Sequence, residues 1–152
     1  MSAEENLEQW INLTTLLRKI EATIEDALPT DLSLQDFQVL AVLGAAEHGR
    51  LRMSSLAHRV GLTKSGITRA VARLVERGLV CRRSCPKDQR ATYAVITEKG
   101  AALRCRAVDV TADPLQENFF AALSPNDLRS FRRVMEALED GLSESGACTS
   151  WD

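Results

Sequence analysis

Between Ser54 and Ile96 the apolar residues recur first at helical spacing and then in two short β-prone runs, with a glycine at each change of course. Few folds accommodate that order. Leu56, Ala57 and Val60 give a short helix over 54–60 one inward face, and Gly61 supplies the left-handed cap of a tight turn. Thr63 then caps a second helix over 64–77. In it Ile67, Val71, Leu74 and Val75 form the inward stripe, while Lys64, Ser65, Thr68, Arg69 and Arg73 occupy other faces. Gly78 closes this helix. Leu79–Arg83 and Ala91–Ile96 read as two strands around a Pro86-Lys87-Asp88-Gln89-Arg90 loop, a hairpin with a basic tip.

The flanks are helical. Trp10, Leu13, Leu17, Ile20 and Ile24 alternate spacings of three and four, making one apolar stripe that Pro29 ends. Ser33 followed by Asp36 is a capping-box-like start for a helix carrying Phe37, Leu40, Val42 and Leu43 as far as Glu47-His48-Gly49. Thr97 and Glu98 begin a long helix through about residue 123, which Pro114 is expected to kink. Ser124-Pro125-Asn126-Asp127 starts a last helix, because Ser caps, Pro suits the first turn and Asp favours the positive end of the dipole. Its Leu128, Phe131, Met135, Leu138 and Leu142 repeat the three-four spacing.

The expected class is therefore mainly α with a small β-hairpin wing (α+β), a winged helix-turn-helix. Residues 31–100 are expected to form the winged lobe, 1–30 and 101–145 a helical dimerisation region, and 146–152 a disordered tail. Terminal stripes this short usually become intramolecular core. Two long helices beside so small a lobe, however, leave apolar surface that self-association ordinarily covers.

The formal charge of −2 conceals two opposed parts. From Arg50 to Arg106 fourteen Lys and Arg face only Glu76, Asp88 and Glu98, a segment charge of +11, which leaves −13 on the remainder. A basic block of this kind is the footprint of a polyanion-binding face, since neutralised phosphates release condensed counterions. The plain alternative is a solvated basic surface.

A major groove admits one helix, held by a preceding helix, and Lys64, Ser65, Thr68 and Arg69 would there meet base edges or phosphates. Gly66 removes a side chain and permits close approach. Arg73, one turn further along, reaches base or backbone; if it neutralises one phosphate, its loss flattens the log-log salt dependence by about 0.9. In the hairpin, Arg82 and Arg83 precede a tip with Lys87 and Arg90, and an arginine so placed can enter a narrow minor groove.

The run from Arg52 through Met53-Ser54-Ser55-Leu56-Ala57-His58-Arg59-Val60-Gly61-Leu62 to Thr63 leads into Thr68-Arg69 and then Leu74-Val75-Glu76-Arg77-Gly78-Leu79-Val80. Together these residues resemble the MarR family of bacterial winged-helix regulators. Asp88-Gln89-Arg90 is similar to that family's Asp-x-Arg, and Ile96-Thr97-Glu98-Lys99-Gly100 to the Leu-Thr-x-x-Gly that follows. The motifs lie within 52–100, and the helix order extends the resemblance over 10–142. It implies a homodimer in which first and last helices intertwine, reading a palindromic operator on double-stranded DNA. Release by a small-molecule effector or an oxidant is also implied, and repression is the expected outcome. By the same resemblance Asp88 braces the wing, Arg90 enters the minor groove, and the early residues of the 63–77 helix read bases.

Other chemistries fit less well. Cys81, Cys85, Cys105 and Cys148 in a chain with no recognisable export signal read as reduced thiols. Cys85, flanked by Arg82, Arg83 and Lys87, is a candidate redox thiol of lowered pKa, against the reading of an incidental wing cysteine. Cys81 and Cys85 with His48 or His58 lack the close, repeated spacing of a zinc site, so no metal or other cofactor is expected. His58 reads as a phosphate neighbour or a surface residue. Neither a nucleophile with its base nor a phosphate loop is present, so no enzyme is expected. A winged-helix module that binds protein or RNA is the alternative, but it needs neither Arg90 at the tip nor so many arginines. No run of eighteen apolar residues occurs and the start is acidic, which places the protein in the cytoplasm.

Overall fold

Ser2 and Glu5 close a capping box on the first helix, α1 (Ala3–Ala27): the Ser2 hydroxyl accepts from the Glu5 N–H and the Glu5 carboxylate from the Ser2 N–H. The computed structural model describes residues 2–85 and 88–144, with the backbone alone for 85, 88–90 and 142–144. The tail expected at 146–152 lies outside the described residues. Past Pro29, Ser33 caps α2 (Leu34–Ala45) through the Asp36 N–H. A 3₁₀ turn then leads to β1 (Arg50–Arg52), α3 (Met53–Val60), α4 (Lys64–Glu76), β2 (Val80–Cys85), β3 (Asp88–Ile96), α5 (Glu98–Asn118) and α6 (Pro125–Glu144).

The three strands form one antiparallel sheet in the order β1-β3-β2. Two features differ from expectation. β1 was not anticipated, because three residues carry too little alternation to read; they become a strand only by pairing Arg50 to Arg52 with Val95 to Tyr93. The hairpin strands also run closer to the tip. Asp88, Gln89 and Arg90 belong to β3 rather than to a loop, with Cys85 opposite Asp88 beyond a register shift at Ser84. Polar composition suggested a turn there, whereas strand pairing resumes at Cys85 and Asp88 beyond the shift.

The core gathers around α2. Leu40 and Leu43 share one buried cluster with Leu56 of α3, Ile67, Val71 and Leu74 of α4, Leu79 and Val80 where β2 begins, and Leu103 and Ala107 of α5. The helical members face inward at three-four spacing, and truncating one such leucine to alanine costs about 2–5 kcal/mol. Val75 does not join them. It stays 37% exposed at the edge of the α4 face, where Ala70 instead completes the stripe with Ile67, Val71 and Leu74.

α5 runs through Pro114 and stops at Asn118, whose side-chain amide donates to the Pro114 carbonyl at 2.8 Å; a 3₁₀ turn over Phe120–Ala122 replaces the expected continuation to 123. α6 begins as expected. The Ser124 hydroxyl and N–H both donate to the Asp127 carboxylate, at 2.6 and 3.0 Å, and hold its pKa below the ordinary 3.8. Its contribution to this helix start is complete above pH 3.8 and is lost as pH falls below that value. The terminal helices keep apolar faces uncovered: no residue of α1 is buried, Trp10 is 61% exposed, and Leu13, Leu17, Phe131, Met135 and Leu138 are exposed too.

The start of α5 presses directly on the turn between α4 and β2. Thr97 N–H donates to the Leu79 carbonyl at 3.1 Å, Thr97 Oγ1 to the Gly78 carbonyl at 2.8 Å, and Lys99 Nζ to the Arg77 carbonyl at 2.7 Å. A Cβ on the buried Gly100 would collide with the Leu79 carbonyl oxygen, which is backbone and cannot swing aside. Gly100→Ala is therefore expected to cost about 2–3 kcal/mol or more of folding stability, read as a lowered midpoint in urea. An unchanged midpoint would show the approach to be loose.

Candidate nucleic-acid interface

The turn between α3 and α4 is built by three residues. Gly61 adopts the left-handed conformation (φ 72°, ψ 31°), and its N–H and that of Leu62 close onto the Ala57 carbonyl, so α3 ends abruptly. Thr63 opens α4, its hydroxyl accepting from the Gly66 N–H at 3.0 Å and lying 3.2 Å from the Ser65 hydroxyl. A Cβ at Gly66 would stand 3.0 Å from that same Thr63 oxygen, so the glycine lets the cap close tightly.

With Ile67, Ala70, Val71 and Leu74 inward, the first two turns of α4 expose Lys64, Ser65, Thr68 and Arg69 together. The Thr68 hydroxyl is engaged along the helix, donating to the Lys64 carbonyl at 2.7 Å. Arg82 crosses from β2 to donate to the Thr68 carbonyl at 3.0 Å, which ties the hairpin to the exposed face. Arg83 is exposed on β2. Lys87 lies outside the described residues, as do the side chains of Cys85, Asp88 and Arg90.

Arg73 stands apart from this group. Its Nη2 donates to Asp36 at 2.8 Å and to Gln35 at 2.9 Å, both at the start of α2. The Asp36 side chain is 7% exposed, against 47% for Arg73. Arg77, one turn on, pairs with Asp31 at 2.8 Å. Asp31, Gln35 and Asp36 were not anticipated in this setting, because partners thirty-seven or more positions apart leave no local signal. Asp36 read as half of a capping box; Ser33 does cap its N–H, but the carboxylate turns to Arg73. Arg52 was likewise missed: its Nε donates to the Tyr93 hydroxyl at 3.1 Å, with the guanidinium 5.8 Å from the ring centroid.

His58 is exposed on α3, and Cys81 and Cys105 are free thiols. Among the described residues no three His, Cys, Asp or Glu side chains are grouped to hold a metal ion, and no helix is long and apolar enough to cross a membrane.

A short helix, a glycine turn, a second helix with an exposed polar and cationic first half, and a β-hairpin tied to that helix define the winged helix-turn-helix class of DNA-binding regulators. A family model described as "MarR family" matches residues 30–91. The chain is 30% identical to the HTH-type transcriptional repressor IacR of Pseudomonas putida over 84% of its own length and 68% of that protein's. It superposes on AbsC, a MarR family transcriptional regulator from Streptomyces coelicolor, with a TM-score of 0.83 and 26% identity, covering 95% and 97% of the two chains. A second MarR family regulator from the same organism, solved in complex with DNA, gives 0.82 and 28% over 93% and 89%. The chain belongs to the MarR family of transcriptional regulators.

Thr63→Ala removes the cap that orders the exposed turn. It is expected to cost about 1 kcal/mol in denaturant unfolding, while Thr63→Ser keeps most of the stability. Equal losses in the two variants would mean that the methyl group, not the hydroxyl, matters.

Proposed function

We propose that this chain acts as a homodimeric repressor that binds a palindromic operator in double-stranded DNA and releases it on a small-molecule or oxidant signal. The observation that carries the reading is the first half of α4. Lys64, Ser65, Thr68 and Arg69 are exposed side by side on a helix whose opposite face is locked into the core. In the major groove such a face offers cations to phosphates and hydroxyls to base edges. The hairpin, held to α4 by Arg82, would follow as a wing, with Arg83, Lys87 and Arg90 directed to the backbone or the minor groove and Asp88 bracing them.

The uncovered apolar faces of α1 and α6 support dimerisation, since contiguous exposed apolar surface on a small chain is ordinarily covered by self-association. On this division 31–100 is the DNA-binding lobe, and 1–30 with 101–145 the dimerisation region. A twofold dimer requires a twofold operator. IacR is named as a repressor and the second Streptomyces regulator was solved with DNA, which supports both parts of the reading. The protein works by binding, not by catalysis, in the cytoplasm where its DNA lies. If the release signal is an oxidant, Cys85 beside Arg82 and Arg83 is the thiol it would meet.

The test is binding of purified protein to the intergenic DNA beside its own gene, at two salt concentrations, with random duplex as competitor. A complex that survives competitor is expected, and Lys64→Gln and Arg69→Gln should each flatten the log-log salt dependence by about 0.9 if each neutralises one phosphate. Complex lost equally to random duplex would reduce the protein to a non-specific DNA binder. No binding at either salt would overturn the reading.

A further inference from the structure

The second half of α4 is chemically different from the first, although both carry arginines. Arg73 and Arg77 lie four positions apart and so share a face. Neither points its charge away from the protein unpaired. Arg73 reaches Asp36 and Gln35 in the first turn of α2, and Arg77 reaches Asp31 in the connection before it, so both guanidinium groups are spent on protein partners. An open cleft of about 780 Å³ runs along residues 25–36, and Arg73 reaches its wall from α4. Beneath it the buried cluster of Leu40, Leu43, Ile67, Val71 and Leu74 holds α2 on α4, and the Arg73–Asp36 pair joins the same two helices at the surface.

From this geometry we infer that Arg73, with Arg77, is a positioning residue that fixes the recognition helix against α2 and the connection before it and does not itself contact DNA. The inference rests on the DNA-binding reading above. Asp36 is the anchor: its side chain is almost fully buried, with the Arg73 guanidinium on it at 2.8 Å. Arg77 and Asp31 form the outer strut, with Asp31 69% exposed.

The sign of one substitution separates this role from direct contact. Asp36→Asn removes a negative charge from the DNA-facing lobe, so simple electrostatics has it strengthen binding or leave it unchanged. If Arg73 is a positioning residue, Asp36→Asn instead weakens specific binding, by roughly tenfold, although no cation has been lost. Arg73→Gln should weaken binding to a similar extent with the wild-type salt slope retained, and the Arg73→Gln/Asp36→Asn double variant should be no weaker than either single. Circular dichroism establishes that each variant is folded. Should the buried pair prove too important for folding, Asp31→Asn and Arg77→Gln, at the more exposed strut, provide the same cycle with a smaller loss.

The experiment is the salt-dependent binding of these variants to the duplex that wild type binds against competitor. Weaker binding by Asp36→Asn, unchanged slopes and a non-additive double variant are expected. A slope lowered by about 0.9 in Arg73→Gln, with Asp36→Asn binding as well as or better than wild type, would make Arg73 a phosphate ligand and overturn the inference while leaving DNA binding intact. Wild type that binds no duplex would instead fail the functional reading itself.

Discussion

The start of α5 on the turn that ends α4 is the contact on which the rest of the molecule depends. Three segments meet within a few residues: the last turn of α4, the first residue pairs of the hairpin, and the first turn of α5. Three hydrogen bonds from Thr97 and Lys99 engage the carbonyls of Arg77, which caps α4, and of Gly78 and Leu79 just beyond it. Gly100 makes the contact possible by offering no side chain to the Leu79 carbonyl. The direction of α4, the origin of the wing and the departure of α5 toward the terminal helices are thereby set together.

Around that junction the charges divide by task. A segment of +11 suggests a uniform field, yet the arginines within it serve different partners. Arg73 is held by Asp36 of α2, Arg77 by Asp31 of the α1–α2 connection, Arg82 by a backbone carbonyl of α4, and Arg52 by Tyr93. Among the described residues the cations of α4 that no carboxylate holds lie in its first half, where Thr63 and Gly66 form the tight cap and Lys64 and Arg69 sit beside two hydroxyls. A surface that binds phosphates needs free cations, and one that reads bases needs a rigid helix.

Much of this was legible in the sequence, for physical reasons that differ from element to element. The helices were readable because their apolar spacing is long and regular, and Gly61 and Gly78 because a left-handed cap leaves few other choices. β1 was not readable, since three residues become a strand only through β3. Val75 was placed inside because it extends the apolar count, while the geometry of α4 gives that place to Ala70. The exposed residues of the site, from Thr63 to Arg69, follow from helical phase alone. The partner of Arg73 does not: periodicity tells which face a residue occupies, but not which carboxylate thirty-seven positions away waits there.

If two copies of this lobe, joined through their terminal helices, place two α4 helices in successive major grooves, hydroxyl-radical footprinting of the bound operator shows two protected patches related by a dyad and separated by about one helical turn, roughly 10–10.5 base pairs centre to centre. A single protected patch, or even protection along the whole duplex, excludes that arrangement.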